Sequence, residues 1–282
     1  ETLENTLKTH RDKKIRAVLP VHLAGQPVDL VGLSKIAESW NISIIEDACH
    51  ALGTSYFQEE NKIMRPIGGC FQSKMATFSF HPVKTISCGE GGAVSTRDSK
   101  LATKLRQLRN HGMVREVEDI QNVEMGLDES GELNPWYYEM ICPGYNYRLS
   151  DIHSALGLSQ LRKLNQFITQ RRHLATYYDK QLSRLLPTVL PVVRSFNSDI
   201  CYHLYPVLVD FDSVGKTRSE VMRNMRDSNI GTQVHYIPVN SQPYYKAEHL
   251  PQCKAFYEQC LSLPIYFDLT VEDYKKVVKS FG

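Results

Sequence analysis

The sequence predicts an α/β fold with a largely parallel sheet, followed by a smaller α+β lobe. Three observations lead there. Short apolar strands alternate with amphipathic helices through the first half. Polar and charged side chains cluster where those strands end. After Pro191 the strand and helix pattern restarts at a smaller scale.

Along the chain, Ala17–His22 reads as the first strand and Val31–Trp40 as a helix with Leu30, Leu33, Ile36 and Ala37 on one face. Ser43–Ala48 is a second strand that ends in Glu46 and Asp47, Ala76–His81 a third and Gly92–Thr96 a fourth. A helix from Ser99 to His111 aligns Leu101, Leu105 and Leu108, with Gly112 as its C-terminal cap. The acidic and aromatic stretch 114–143 reads as a long functional or interfacial loop. Ser150 caps a helix that begins at Asp151, and a long helix over Thr169–Leu186 links the lobes. The second lobe is read as strand Tyr202–Val209, helix Lys216–Ser228, strand Thr232–Ile237, helix Gln252–Cys260 and helix Val271–Phe281. The expected division is 1–165 for the large domain and 166–282 for the linking helix and small domain.

Composition narrows the function classes. The 282 residues are 42% apolar, enough for a substantial core. Net charge is +2, with Lys and Arg spread along the chain, which argues against a nucleic-acid partner. No apolar run is long enough to span a bilayer, and no signal-like N-terminal pattern is present, so no membrane partner and a cytoplasmic location are expected. The seven cysteines lack metal-site spacing and read as reduced thiols. Cys253 and Cys260, two helical turns apart, read as one buried face rather than a metal site, and no metal is expected.

The chemistry gathers at the strand ends, where parallel α/β sheets bind ligands. Asp47 and His50 follow the second strand, Ser79 and His81 close the third, and Lys84 lies just beyond. A lysine near a carboxylate is most often an ordinary ion pair. It is also what a Schiff-base site requires: an amine made nucleophilic by its surroundings, and an acid that keeps a pyridine nitrogen protonated. The spacing alone leaves both readings open. The run Gly89-Glu90-Gly91-Gly92 lacks the ending of a phosphate-binding loop and reads as a tight turn into the fourth strand.

Read as strings, the segments carry more. Ile44-Ile45-Glu46-Asp47-Ala48-Cys49-His50-Ala51-Leu52-Gly53, then Phe78-Ser79-Phe80-His81-Pro82-Val83-Lys84 with Gly89-Glu90-Gly91-Gly92, then Gly144-Tyr145-Asn146-Tyr147-Arg148-Leu149, resemble the DegT/DnrJ/EryC1/StrS family of sugar aminotransferases, in family order. Pro135-Trp136-Tyr137-Tyr138-Glu139-Met140, Gln233-Val234-His235-Tyr236-Ile237-Pro238-Val239 and Cys260-Leu261-Ser262-Leu263-Pro264 look like the branch that serves pseudaminic acid biosynthesis.

The resemblance implies a fold-type I, aspartate-aminotransferase-like architecture, pyridoxal 5'-phosphate as cofactor, and a homodimer with shared active sites. It implies L-glutamate as amino donor and a UDP-linked 4-keto-sugar as acceptor. Carried over by position, Lys84 binds the cofactor covalently and Asp47 pairs with its pyridine nitrogen. His50 contacts the ring or its hydroxyl, and Ser79 holds the phosphate. Asn146 reaches the phosphate in the partner subunit, and His235 and Tyr236 face substrate. Against these stand plainer roles: helix cap for Asp47, structural histidine for His50 and His235, backbone-bonding hydroxyl for Ser79, turn residue for Asn146. Arg148 reads as a structural ion pair. Lys84 argues against a dehydratase of the same family, in which histidine replaces the lysine.

The family also carries a further N-terminal stretch, with a phosphate turn at a helix N-terminus, that has no counterpart here. The expectation is therefore an incomplete large domain, with activity for the complete enzyme rather than for these residues alone. A truncated, non-catalytic homologue is the reading from a different class.

Overall fold

A computed structural model of the chain describes residues 2–192, 198–245 and 250–280. An N-terminal helix α1 (Thr2–Thr9) precedes the sheet region. Strand β1 (Ala17–Val18) is followed by helix α2 (Leu30–Ser39), β2 (Ser43–Asp47), the strands β3 (Ser55–Gln58) and β4 (Ile63–Pro66), then β5 (Met75–Ser79), β6 (Gly92–Ser95) and helix α3 (Ser99–Leu108). The four-stranded sheet runs β1-β2-β5-β6. β1, β2 and β5 are parallel, and β6 is antiparallel to β5.

β2 alternates half-buried and buried residues, because its successive side chains point to opposite faces of the sheet. Asp29 caps α2 through its side chain, and Leu30 and Ala37 turn inward to meet Ile44, Ala48, Ala51, Tyr56 and Ala76. The first strand is shorter than Ala17–His22. Val21 makes a single bridge to Asp47, and His22 leaves the ladder to bury itself against Glu46. The β3–β4 hairpin had no place in the sequence reading. Gly92 opens β6 opposite Ser79, where a Cβ would sit 2.6 Å from the Phe78 carbonyl oxygen, and Gly89 has φ +82°. The glycine run is thus the turn into β6.

The stretch 114–143 is mostly irregular. It holds a short helix α4 (Val123–Gly126) and the paired strands β7 (Met113–Val114) and β8 (Glu139–Met140), which straddle its ends. Helix α3 ends at Leu108. Gly112 has φ +74° but lies beyond the helix, in the turn that receives Cys142, so it is not the cap.

Ser150 caps α5 (Asp151–Leu161) as expected, accepting from the His153 N–H. Helix α6 (Leu164–Leu182) starts and stops a few residues before the expected Thr169–Leu186. The second lobe follows, with β9 (Val189–Pro191), β10 (Ser198–Asp199), β11 (Tyr205–Val209), α7 (Phe211–Val214), α8 (Arg218–Asp227), α9 (Pro251–Gln259), β12 (Cys260–Leu263) and α10 (Val271–Lys279). Its sheet is antiparallel, ordered β12-β11-β9, while β10 crosses to pair with β3. Leu174, Tyr178, Leu182, Tyr205, Val207, Val209, Met225 and Leu261 form one buried cluster there. Capping boxes, Thr217 with Glu220 and Thr270 with Asp273, start α8 and α10.

Two expectations in this lobe fail. Thr232–Ile237 is not a strand. Gln233 bridges Ser262 alone, and the chain then turns to deliver His235 and Tyr236. Cys253 and Cys260 do not share a helix face: Cys253 is exposed on α9, while Cys260 starts β12 and is fully buried. Phe281 lies outside the described residues. All seven cysteines are free thiols. No helix among the described residues is long and apolar enough to cross a membrane.

Candidate active site

β2 ends at Asp47, and the turn after it exposes the polar edge of the sheet. Asp47 is half-buried, and its Oδ1 accepts from the Cys49 N–H at 3.0 Å, which fixes the carboxylate at the strand terminus. β5 ends at Ser79, and the turn His81–Lys84 closes on itself through the Lys84 N–H and the His81 carbonyl at 2.9 Å. Lys84 is half-buried and borders a cleft of about 530 Å³, together with His203, His235, Tyr236, Ser262 and Arg171. One wall of that cleft is thus the β5 turn and the other is the second lobe.

His50 lies beside this cleft, 7% exposed. Its tautomer follows from its partners. The Ala24 N–H donates to Nδ1 at 3.3 Å, so Nδ1 carries no proton and Nε2 carries it. Nε2–H then donates to the Tyr236 hydroxyl at 3.2 Å. Burial, reinforced by the positive charge of Lys84, pushes His50 down to about 4, and Asp47 opposes that shift. The ring is neutral at pH 7. The same two charges reach Cys49, whose thiol is pushed up to about 11 by burial first and then by Asp47, with Lys84 pulling the other way. Lys84 and Asp47 therefore both act on the short segment Cys49–His50 from opposite signs of charge.

His235 is held by a hydrogen bond of 2.8 Å between its Nδ1 and the buried Ser262 hydroxyl. Burial lowers its pKa, and the charge of Lys84 adds to the effect. Burial raises the Tyr236 phenol, and Asp47 adds to it. His203 packs its ring 4.4 Å from that of His50 and is 4% exposed, so that burial, then His50 and Lys84, drive it down to about 2. Burial and the charge of Lys84 thus lower the pKa of all three imidazoles.

The neighbouring Glu46 has a different task. It is 1% exposed and accepts from His22 Nε2 at 3.1 Å, from the Ser73 hydroxyl, and from the Gly68 N–H at 3.4 Å. Burial pushes this carboxyl up, yet those hydrogen bonds outweigh it and hold the pKa below the usual value. His22 Nδ1 accepts from the Val28 N–H, so its Nε2 carries the proton. This buried pair secures β2 beneath the site.

Of the residues singled out in the sequence, Lys84, His235 and Tyr236 border one cleft. His50 joins it through Tyr236, and Asp47 through its charge. Ser79 and Asn146 are not among the residues bordering it. Ser79 Oγ accepts from the His81 N–H at 3.4 Å, and Asn146 lies exposed on a segment bridged to Asn110. Arg148 pairs not with an acid but with the Asn110 side-chain oxygen, at 2.8 Å. His203 and Arg171 were missed. Arg171 had a legible signal, since it falls in the apolar stripe Ile168, Arg171, Ala175, Tyr178 and Leu182 of α6. The donor set fits pyridoxal phosphate: a half-buried amine, a carboxylate at a strand end, neutral imidazoles and a hydroxyl at the next strand end.

A parallel sheet with an amine and a carboxylate at its carboxyl edge defines the class as a fold-type I pyridoxal-phosphate-dependent transferase. The chain belongs to the DegT/DnrJ/EryC1/StrS aminotransferase family, whose pattern it matches over residues 3–282. It is 34% identical over 286 residues to the uncharacterized protein MJ1066 of Methanocaldococcus jannaschii, covering 99% of this chain and 68% of that protein. It is 33% identical over 274 residues to the spore coat polysaccharide biosynthesis protein SpsC of Bacillus subtilis, covering 95% of this chain and 66% of that one. Its fold is similar to that of Helicobacter pylori PseC, an aminotransferase involved in the biosynthesis of pseudoaminic acid, with a TM-score of 0.83, 28% identity, and coverage of 99% and 69%. The chain thus spans about two thirds of the length of these relatives. Family members are pyridoxal-phosphate-dependent sugar aminotransferases.

Proposed function

We propose that the protein transfers an amino group from L-glutamate to the 4-keto group of a UDP-linked deoxy-sugar, in pseudaminic acid or related surface-glycan biosynthesis. The observation that carries this reading is the place of Lys84 on the cleft wall, just beyond the end of β5, with Asp47 at the end of the neighbouring parallel strand β2. The likeness to PseC and to SpsC supports the pathway class.

Pyridoxal phosphate supplies an aldehyde for the amine and a ring that accepts electrons. Lys84 Nζ would hold the aldehyde carbon and, when not so engaged, would carry a proton from the donor's α-carbon and, in the return half, to C4 of the sugar. Asp47 would keep the ring nitrogen protonated, His50 would contact the ring or its hydroxyl, and Ser79 would take the phosphate. His235 and Tyr236 orient the sugar across the cleft. Asn146, exposed in a single chain, serves the site of a second copy in a homodimer. The domain division 1–165 and 166–282 places cofactor residues in the first part and the substrate wall in the second.

The test is an assay of the cofactor-loaded protein against a panel of UDP-linked 4-keto-sugars with L-glutamate. Lys84→Ala should abolish both turnover and the visible absorbance of the lysine-linked cofactor. Turnover that persists in that variant would end the reading.

A further inference from the structure

The segment that carries His235 is docked on β12, the end strand of its sheet. The Gln233 N–H donates to the Ser262 carbonyl at 3.3 Å, and the Ser262 N–H donates back to the Gln233 carbonyl at 2.7 Å. The Cys260 thiol donates to the His235 carbonyl at 3.5 Å. These contacts hold the backbone of the segment. A further contact joins side chains: Ser262 Oγ and His235 Nδ1 lie 2.8 Å apart, and both residues border the cleft of Lys84.

β12 is buried along its whole length, and Ser262 stands between Leu261 and Leu263 with 4% exposure. A hydroxyl there is costly unless it is hydrogen-bonded, and the fold alone would be served by an apolar residue. The direction of its bond follows from counting donors. Ser262 Oγ has no partner other than His235 Nδ1 among the described residues. Were Nδ1 to donate, the hydroxyl proton would be left buried without an acceptor. The hydroxyl therefore donates to Nδ1. Burial and the charge of Lys84 lower the pKa of His235, so the ring is neutral at pH 7 and carries its one proton on Nε2. That nitrogen has no hydrogen-bond partner among the described residues. The Tyr236 ring meets the imidazole edge-on at 4.7 Å and limits its tilt. Without the hydroxyl, either nitrogen could take the proton and the ring could turn over.

We propose that Ser262 is a positioning residue: its hydroxyl fixes His235 as the Nε2–H tautomer, so that His235 donates a hydrogen bond to an oxygen of the keto-sugar and does not act on it as a base. This role rests on the reading that the cleft takes a nucleotide-linked keto-sugar. Such a ligand is rich in acceptor oxygens, which suits a donor held ready before it arrives.

The variants are Ser262→Ala and Ser262→Thr. The backbone bridge to Gln233 survives both, and only threonine keeps a hydroxyl. Nitrogen-15 NMR of the cofactor-loaded protein with labelled histidine reads the tautomer at pH 7, with the His235 signal assigned through His235→Gln. Rapid mixing reads the two half-reactions apart: L-glutamate against the Lys84-linked absorbance, then a UDP-linked 4-keto-sugar. The parent should show Nε2–H, and Ser262→Ala a mixture of tautomers. The sugar half should slow about tenfold in Ser262→Ala, and by about threefold or more beyond any loss in the glutamate half, with Ser262→Thr restoring both signal and rate. An Nδ1–H signal in the parent would overturn the proposal, as would an unaltered tautomer or an unaltered sugar half in Ser262→Ala. So would equal losses in the two halves with a lowered melting temperature, which marks a prop for the segment and nothing more. A parent that shows no Lys84-linked absorbance, or converts no keto-sugar, would count against the function and not against Ser262, and the tautomer signals would then decide alone.

Discussion

His50 and Tyr236, on opposite lobes and 186 residues apart in sequence, meet through one hydrogen bond of 3.2 Å in which the imidazole donates and the phenol accepts. Because the Ala24 N–H occupies the other ring nitrogen, the direction is fixed. The hydroxyl of Tyr236 consequently has its own proton free for an oxygen acceptor in the cleft. Tyr236→Phe should lower kcat by about tenfold or more, since it removes that donor. Tyr236 is 49% exposed, so the melting temperature should move little. Steady-state kinetics with a thermal scan check both.

The depressed pKa of His50 has a consequence for stability against pH. In the unfolded chain the imidazole binds a proton below about 6.5, and in the folded protein it does so only below about 4. Stability is therefore full above 6.5 and is lost as pH falls from there toward 4. The loss from this group reaches about 3 kcal/mol at most. Urea unfolding at pH 7 and pH 5 should show a marked drop in the parent protein. His50→Gln, which cannot take up a proton, should show a smaller one.

Glu46→Ala should destabilise the fold by about 3 kcal/mol or more, because His22 Nε2–H and the Ser73 hydroxyl lose their acceptor in a site that water does not reach. Glu46→Gln keeps an oxygen for His22 and should cost less. Chemical denaturation distinguishes the two substitutions.

Asp47→Asn retains an oxygen for the Cys49 N–H, so the strand end should keep its shape. What it loses is the charge. Turnover should fall on the order of 10²-fold or more, with a red- or blue-shifted cofactor band as the ring nitrogen loses its proton. An activity near that of the parent would remove the role given to this carboxylate.

Much of the fold was legible in the sequence because its signals are local. β2 and β5 are apolar runs with a polar end, and Asp29, Ser150, Thr217 and Thr270 cap the helices they precede. Where expectation failed, a non-local contact had overridden pattern. Thr232–Ile237 has strand composition, but its partner strand β12 pairs with β11 instead and spares it only Ser262. Cys253 and Cys260 fit a helical spacing until Cys260 is drawn into that same ladder. In the site, Lys84, Asp47 and His50 stood out because their strings were distinctive. His203 did not, since a histidine before a strand carries no local mark of the cleft, and Arg171 carries one only as a charge within the apolar stripe of α6.

The hydroxyl of Thr54 donates to the Gly25 carbonyl at 2.8 Å and accepts from the Cys201 N–H at 3.0 Å, while the Cys201 thiol donates to the His50 carbonyl at 3.1 Å. One side chain thus rivets three distant stretches of chain, and the stretch that leads into β11 is fastened directly to the loop bearing His50. Displacement of the lobe at that rivet would be transmitted to the imidazole at once, so substitutions around position 201, well outside the cleft, should register as altered chemistry within it.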